Sequence, residues 1–179
     1  MMQMEKMLQK AAKVKLLILD VDGVLTDGTI YLTESGEEFK AFYSKDGIGL
    51  KTLIKSGVEV AIISGRKSAA VEHRLQPLGV RYIHQGHDDK IHKYNELKKK
   101  LNLRDDEIAY VGDDLPDLQP IKTSGLGIVV ADGNDFARQH ADWITSKPGG
   151  RGAVREVCEH IMRAQNNLDK MQQYYLPNE

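Results

Sequence analysis

The sequence predicts an α/β fold, a Rossmann-like parallel sheet sandwiched by helices with a β-hairpin inserted after the first strand. Three observations carry that expectation. Short apolar runs alternate with longer segments of helical period, the runs are continuous as in strands covered on both faces, and one early segment has period two.

The first run, "VKLLIL" (14–19), leads into "DVDGVLTDG" (20–28). The segment "GTIYLTESGEEFKAFYS" then alternates on both sides of "ESGE", the pattern of a hairpin. Ile48, Leu53 and Ile54 form a helical apolar face ending at Gly57, before the second run "VEVAII" (58–63). Val71, Leu75 and Leu78 form another face, ending at Gly79, before "RYIH" (81–84). Ile91, Tyr94, Leu97 and Leu101 make a third helix, with Asp88 as its expected N-cap. The runs "EIAYV" (107–111), "LGIVV" (126–130) and "DWIT" (142–145) follow, and a helix from about Ala153 past Ile161 closes the βαβ rhythm.

A length of 179 residues without a Pro/Gly/Ser linker fits one domain, 1–179, with the hairpin insertion at about 28–43 and a tail at about 166–179. The tail carries Tyr174 and Tyr175 and is expected either to be disordered or to close over a neighbouring site. A formal net charge of −1 gives no nucleic-acid footprint, and Lys98, Lys99 and Lys100 read as a solvated helix face. The single cysteine, Cys158, excludes an intramolecular disulfide and a cysteine zinc cluster; among Val154, Val157 and Ile161 it reads as a buried thiol. The N-terminal segment has no apolar core of signal-peptide length and no window reaches a membrane span. The expected location is the cytoplasm, with neither a nucleic-acid nor a membrane partner.

In open α/β sheets the ligand crevice lies at the carboxyl ends of the strands. There the first run delivers Asp20 and Asp22, the second Ser64-Gly65-Arg66, and the fourth Gly112-Asp113-Asp114 with Asp117 beyond; Lys90 opens the helix after the third. One Asp or Ser after a strand is usually a helix cap. Asp20, Asp22, Asp113 and Asp117 together repel one another unless a cation sits among them, which points to Mg²⁺ and a phosphorylated ligand. An EF-hand loop starting at Asp20 fails, because Val24, Leu25 and Tyr31 stand where Asp or Asn, Gly and Glu are needed. "GRKS" (65–68) lacks P-loop spacing, and "GIGLKT" (47–52) is too short for a dinucleotide fingerprint.

The four stretches "DVDGVLTDG", "IISGR", "QGHDDK" and "GDDLPD" resemble the four motifs of the haloacid dehalogenase (HAD) superfamily of phosphohydrolases. With "GGRGAVREV" (149–157) they are similar to its capless branch acting on eight- and nine-carbon sugar-acid phosphates, over about residues 13 to 165. That resemblance implies a Mg²⁺-dependent phosphomonoesterase without a cap domain, hydrolysing 3-deoxy-D-manno-octulosonate 8-phosphate in lipopolysaccharide precursor synthesis. An N-acylneuraminate or other nonulosonate 9-phosphate is the alternative substrate. It implies Asp20 as nucleophile and Asp22 as acid and base, with Ser64 and Lys90 on the phosphoryl oxygens. Asp20, the Asp22 carbonyl and Asp113 would hold the metal, and Asp114 and Asp117 would hold metal waters or position Lys90. Lys45, Asp46, Gly47, Arg66, Arg74 and Arg151 would bind substrate. "FYSKDG" departs from the usual Arg-Asp-Gly pattern at Lys45, which leaves the sugar-acid contacts open. A homotetramer whose hairpins and neighbouring subunits cover the sites is also implied. From other classes, a receiver-like phosphoacceptor conflicts with the third run ending in His84-Gln85-Gly86, and a non-catalytic regulatory domain conflicts with an intact Asp20 and Asp22.

Overall fold

Strand β1, Leu16–Leu19, has all four side chains buried, with Leu17 and Leu19 in one core and Leu16 and Ile18 in the other. A strand alternates its side chains between faces, so this pattern requires helices on both sides. The computed structural model describes residues 2–177. The hairpin is formed by β2 (Tyr31–Leu32) and β3 (Glu38–Phe39), paired antiparallel around Gly36 and forming a separate two-stranded sheet. The main sheet adds β4 (Glu59–Ser64), β5 (Tyr82–Gln85), β6 (Ile108–Gly112), β7 (Leu126–Val129) and β8 (Trp143–Ile144). Its order is β5-β4-β1-β6-β7-β8 and every pairing is parallel. The order reverses between β1 and β6, so their carboxyl ends flank the crevice where such sheets bind ligands.

One face is covered by α1 (Met2–Ala12), α2 (Ser44–Lys55), α3 (Ala69–Leu75), α7 (Ala153–Ala164) and α8 (Leu168–Gln173). The other is covered by α4 (Lys90–Lys100), α5 (Leu118–Thr123) and α6 (Asp135–Gln139). Each fully buried Leu or Ile of the strands contributes on the order of 1.5–3 kcal/mol, so the sheet is a rigid base for its rim. Among the described residues there is no cap domain: the hairpin and α2 alone lie between β1 and β4. No described helix is long and apolar enough to cross a membrane. Cys158 is buried and free, and burial pushes its thiol well above the ordinary range.

Four local features differ from the sequence reading. The N-terminal segment forms α1, whose Met7 and Ala11, one helical turn apart, pack into the core. Ile48 is 42% exposed, because α2 turns Asp46, Leu50 and Leu53 inward and its Gly49 lies against Arg155 and Cys158 of α7. The N-cap of α4 is Asp89, which accepts from the amide of His92, rather than Asp88. The tail begins with α8 packed on its own chain rather than unstructured, while Tyr174, Tyr175 and Leu176 beyond it are exposed. Leu168 and Met171 are buried, and the Tyr175 hydroxyl lies 3.3 Å from that of Thr52 on α2. Residues 178 and 179 lie outside the described residues.

Candidate active site

The carboxyl ends of β1, β4 and β6 and the start of α4 meet in a cleft of about 550 Å³, lined by Asp20, Ser64, Arg66, Lys90, Asp113 and Asp117, with Asp22 and Asp114 also at its wall. After β1 the chain makes a tight turn in which the amides of Val24, Leu25 and Thr26 all converge on the Val21 carbonyl. Gly23 adopts φ +90°, and a Cβ there would sit 2.0 Å from Asp113 Oδ2. Glycine at that position is what lets Asp113 approach the β1 loop. The late glycine motif braces the same turn: Gly150 (φ +62°) donates its amide to the Val24 carbonyl, and a side chain there would strike the backbone of Thr26 and Asp27.

Asp20 is 7% exposed. Its Oδ1 accepts from the Val21 amide at 2.7 Å and its Oδ2 lies 3.0 Å from Lys90 Nζ. Lys90 also donates to Asp117 Oδ1 at 2.7 Å. Asp117 is saturated: the buried Tyr110 hydroxyl donates to the same Oδ1 at 2.6 Å, and the amides of Asp113 and Asp114 donate to Oδ2. Of the two roles considered for it, Asp117 therefore fits that of holding Lys90. Asp114 instead caps the following turn, accepting from the Leu115 amide at 2.8 Å.

Burial, then the neighbouring charge of Asp117, raises the Asp20 pKa to about 7 against the pull of Lys90. Burial, then Asp20 and Asp117, raises that of Asp113 to about 8. Burial draws the Lys90 pKa down, but its two carboxylates outweigh that and leave it above the ordinary value.

Oxygens of Asp20, Asp113 and Asp117 lie within 4.8 Å of one another. Lys90 supplies one positive charge to three carboxylates, and the raised pKa values of Asp20 and Asp113 record the excess. A hard divalent cation with oxygen ligands fits this set, and Asp20 and Asp113 are the side chains with capacity left for it.

Asp22 points elsewhere. Its Oδ1 is 2.5 Å from Lys40 Nζ on the hairpin, and its Oδ2 is 3.9 Å from Arg66 Nε. Lys40 is 2.7 Å from Glu38, which also pairs with Arg66. The sequence reading missed Lys40, Glu38 and Tyr110. Tyr110 lies inside a continuous apolar run and reads as core, while hairpin alternation does not say which loop the hairpin folds onto.

Of the six residues expected to bind substrate, a single chain brings only Arg66 into the cleft. Lys45 and Arg151 line a second cavity, beside Tyr43 and the start of α7. Asp46 is buried and accepts from the Arg155 amide at 2.8 Å, a structural cap on α7. Arg74 packs its guanidinium against Gly47, where a Cβ would meet it at 2.2 Å. Ser64 is buried and accepts from the Arg66 amide, its hydroxyl at the cleft floor.

A doubly wound sheet with an aspartate pair after its first strand, a hydroxyl after the second, and a lysine and acidic cluster beyond is the architecture of haloacid dehalogenase-like hydrolases, whose family model matches residues 80–157. The chain belongs to that family, in the branch of the 3-deoxy-D-manno-octulosonate 8-phosphate phosphatases. It is 47% identical to the enzyme of that name, KdsC, from Escherichia coli K12 over 90% of this chain and 86% of that one. It is similar to the crystal structure of a 3-deoxy-D-manno-octulosonate 8-phosphate phosphatase from Moraxella catarrhalis in complex with magnesium ion, phosphate ion and KDO, with TM-score 0.94 and 48% identity, covering 96% of this chain and 99% of that one. A probable phosphatase from Pseudomonas syringae gives TM-score 0.96 and 47% identity, covering 98% and 99%.

Proposed function

We propose that the chain is a Mg²⁺-dependent phosphomonoesterase that hydrolyses 3-deoxy-D-manno-octulosonate 8-phosphate to the free sugar acid and phosphate, through a phosphorylated Asp20. The observation that carries the reading is a buried carboxylate at the end of the central strand with a buried lysine 3.0 Å away, in a chain 47% identical to a phosphatase of that specificity.

Asp20 attacks phosphorus in line with the sugar oxygen, and the P–O bond to the sugar breaks as the new P–O bond to Asp20 forms. Asp22 gives its proton to the departing sugar oxygen, then takes a proton from the water that attacks the phosphoryl group, and Asp20 is regenerated as a carboxylate. Lys90 is a fixed point charge for the phosphoryl oxygens, and Ser64 donates a hydrogen bond to them. Asp117, with Tyr110, keeps Lys90 in place. Asp20 and Asp113, with the Asp22 carbonyl, would hold magnesium, which would supply the positive charge that offsets repulsion between an anionic nucleophile and a phosphate dianion.

The assembly we infer is a homotetramer. The exposed Leu32 and Phe39, 61% and 54% accessible on the hairpin, support burial of that hairpin against other copies. Lys45, Asp46, Gly47, Arg74 and Arg151 keep a substrate role in this reading only if assembly brings Lys45, Arg74 and Arg151 to a neighbouring cleft, with Asp46 and Gly47 shaping their segment. A phosphorylated sugar acid does not cross a bilayer unaided, which fits a cytoplasmic location.

Phosphate release with Mg²⁺ present tests the substrate. A kcat/KM for the octulosonate 8-phosphate about a hundredfold above that for an N-acylneuraminate 9-phosphate is expected, roughly 2.7 kcal/mol of differential transition-state binding. The reverse preference would move the substrate to the nonulosonates.

A further inference from the structure

We propose that Lys40, on the inserted hairpin, is a positioning residue for Asp22, so that the hairpin takes part in protonating the leaving group. The inference rests on the reading of Asp22 as the acid and base.

Lys40 is only 4% exposed in its side chain, and its ammonium bridges Asp22 Oδ1 at 2.5 Å and Glu38 Oε1 at 2.7 Å. Both of its carboxylate partners are themselves mostly buried, which holds the ammonium between them. Lys40 does not line the cleft, so its effect on the reaction passes through Asp22. Glu38 continues the connection to Arg66, whose Nε returns to 3.9 Å from Asp22 Oδ2. The result is a closed ring, Asp22–Lys40–Glu38–Arg66, joining the loop after β1, the hairpin and the loop after β4.

The hairpin strands are two residues each and make no pairing with the main sheet. Two-stranded ribbons have little stability of their own, so the ring ties this one to the loops after β1 and β4. The benefit is reciprocal. Asp22 sits on a loop with two free side-chain torsions, and a general acid works only within hydrogen-bond reach of the oxygen it protonates. With Oδ1 held by Lys40, Oδ2, 3.9 Å from Arg66 Nε and so beyond hydrogen-bond distance, is the oxygen left for proton transfer. A misplacement of about 1 Å in such a group can cost on the order of a hundredfold in rate.

Proton donation matters in proportion to how poor the leaving group is, which separates this role from a structural one. Phenyl phosphate and p-nitrophenyl phosphate share a shape and contain no sugar, and nitrophenolate departs without a proton. The quantity to compare is kcat/KM, which covers steps through loss of the leaving group and is blind to later hydrolysis of the phosphoenzyme. Lys40→Met in the full chain with saturating Mg²⁺ is expected to lower kcat/KM for phenyl phosphate about tenfold or more while changing that for p-nitrophenyl phosphate by less than about threefold. Lys40→Arg should restore most of the loss. If the apolar variant does not fold, Lys40→Gln gives the same comparison with a neutral polar side chain in place of the ammonium. An equal loss on both substrates, or none on either, overturns the proposal. Asp22→Ala is the reference: a wild-type ratio in that variant would show that the acid reading of Asp22 has failed, independently of Lys40.

Discussion

Two buried lysines each bridge two carboxylates at this site, and they are held in opposite ways. Lys90 starts a helix packed on the main sheet; its partners Asp20 and Asp117 follow adjacent central strands, and Tyr110 and two amides fix Asp117 from behind. Lys40 is carried by a two-stranded ribbon outside that sheet and anchored by side-chain ion pairs. A charge needed on the transferring phosphoryl group is thus built into the rigid scaffold. One needed only to aim the proton donor is placed on a detachable element, where it couples acid–base chemistry to the hairpin's position.

The largest effect belongs to the rigid centre. Asp20→Asn removes the nucleophile and is expected to lower phosphate release by on the order of 10⁴-fold or more, measured in steady state, with the fold retained by circular dichroism. Lys90→Met is expected to cost about a hundredfold or more in kcat/KM on alkyl and activated aryl phosphates alike. It also strands Asp117 as a buried charge, at about 3 kcal/mol of stability by denaturant titration. Lys90→Met is thus indifferent to the leaving group and Lys40→Met is not, and identical patterns would erase the difference between the two lysines. Ser64→Ala leaves every ion pair intact and should lower kcat/KM roughly 10- to 100-fold, the value of one hydrogen bond to a charged group.

Stability should depend on pH and metal together. In the folded protein the Asp20 and Asp113 carboxyls are pushed up to about 7 and about 8, against 3.8 for a free aspartate side chain. The folded state therefore holds protons that the unfolded chain has released, and the metal-free protein loses stability as pH rises from about 4 to about 8. Mg²⁺ should raise Tm more at pH 8.5 than at pH 5 in thermal melts. Smallest is Tyr110→Phe, about 1 kcal/mol of stability from the lost hydrogen bond to Asp117, with a severalfold fall in kcat.

The main sheet and the residues at its rim were readable because strand burial writes itself as continuous apolar runs, and the residue ending each run is at the crevice by topology alone. Asp20, Ser64, Lys90 and Asp113 follow from that rule. Lys40 and Glu38 do not, since period two tells which side chains share a face and not what that face meets. Asp46 illustrates the opposite failure. It sits in a motif resembling a substrate contact, yet it caps a helix that begins 107 residues later, a pairing no local pattern announces. Helix α1 precedes the first strand without a flanking motif, and among its described side chains Met7 and Ala11 are the buried ones.

The central claim is that Asp20 carries the phosphoryl group, and rapid acid quenching of the full chain during turnover of ³²P-labelled substrate tests it most directly. A burst of protein-bound label on the peptide containing Asp20 is expected, released by hydroxylamine, absent in Asp20→Asn and longer-lived in Asp22→Ala. Steady phosphate release with no protein-bound label, or label on any other residue, would contradict it.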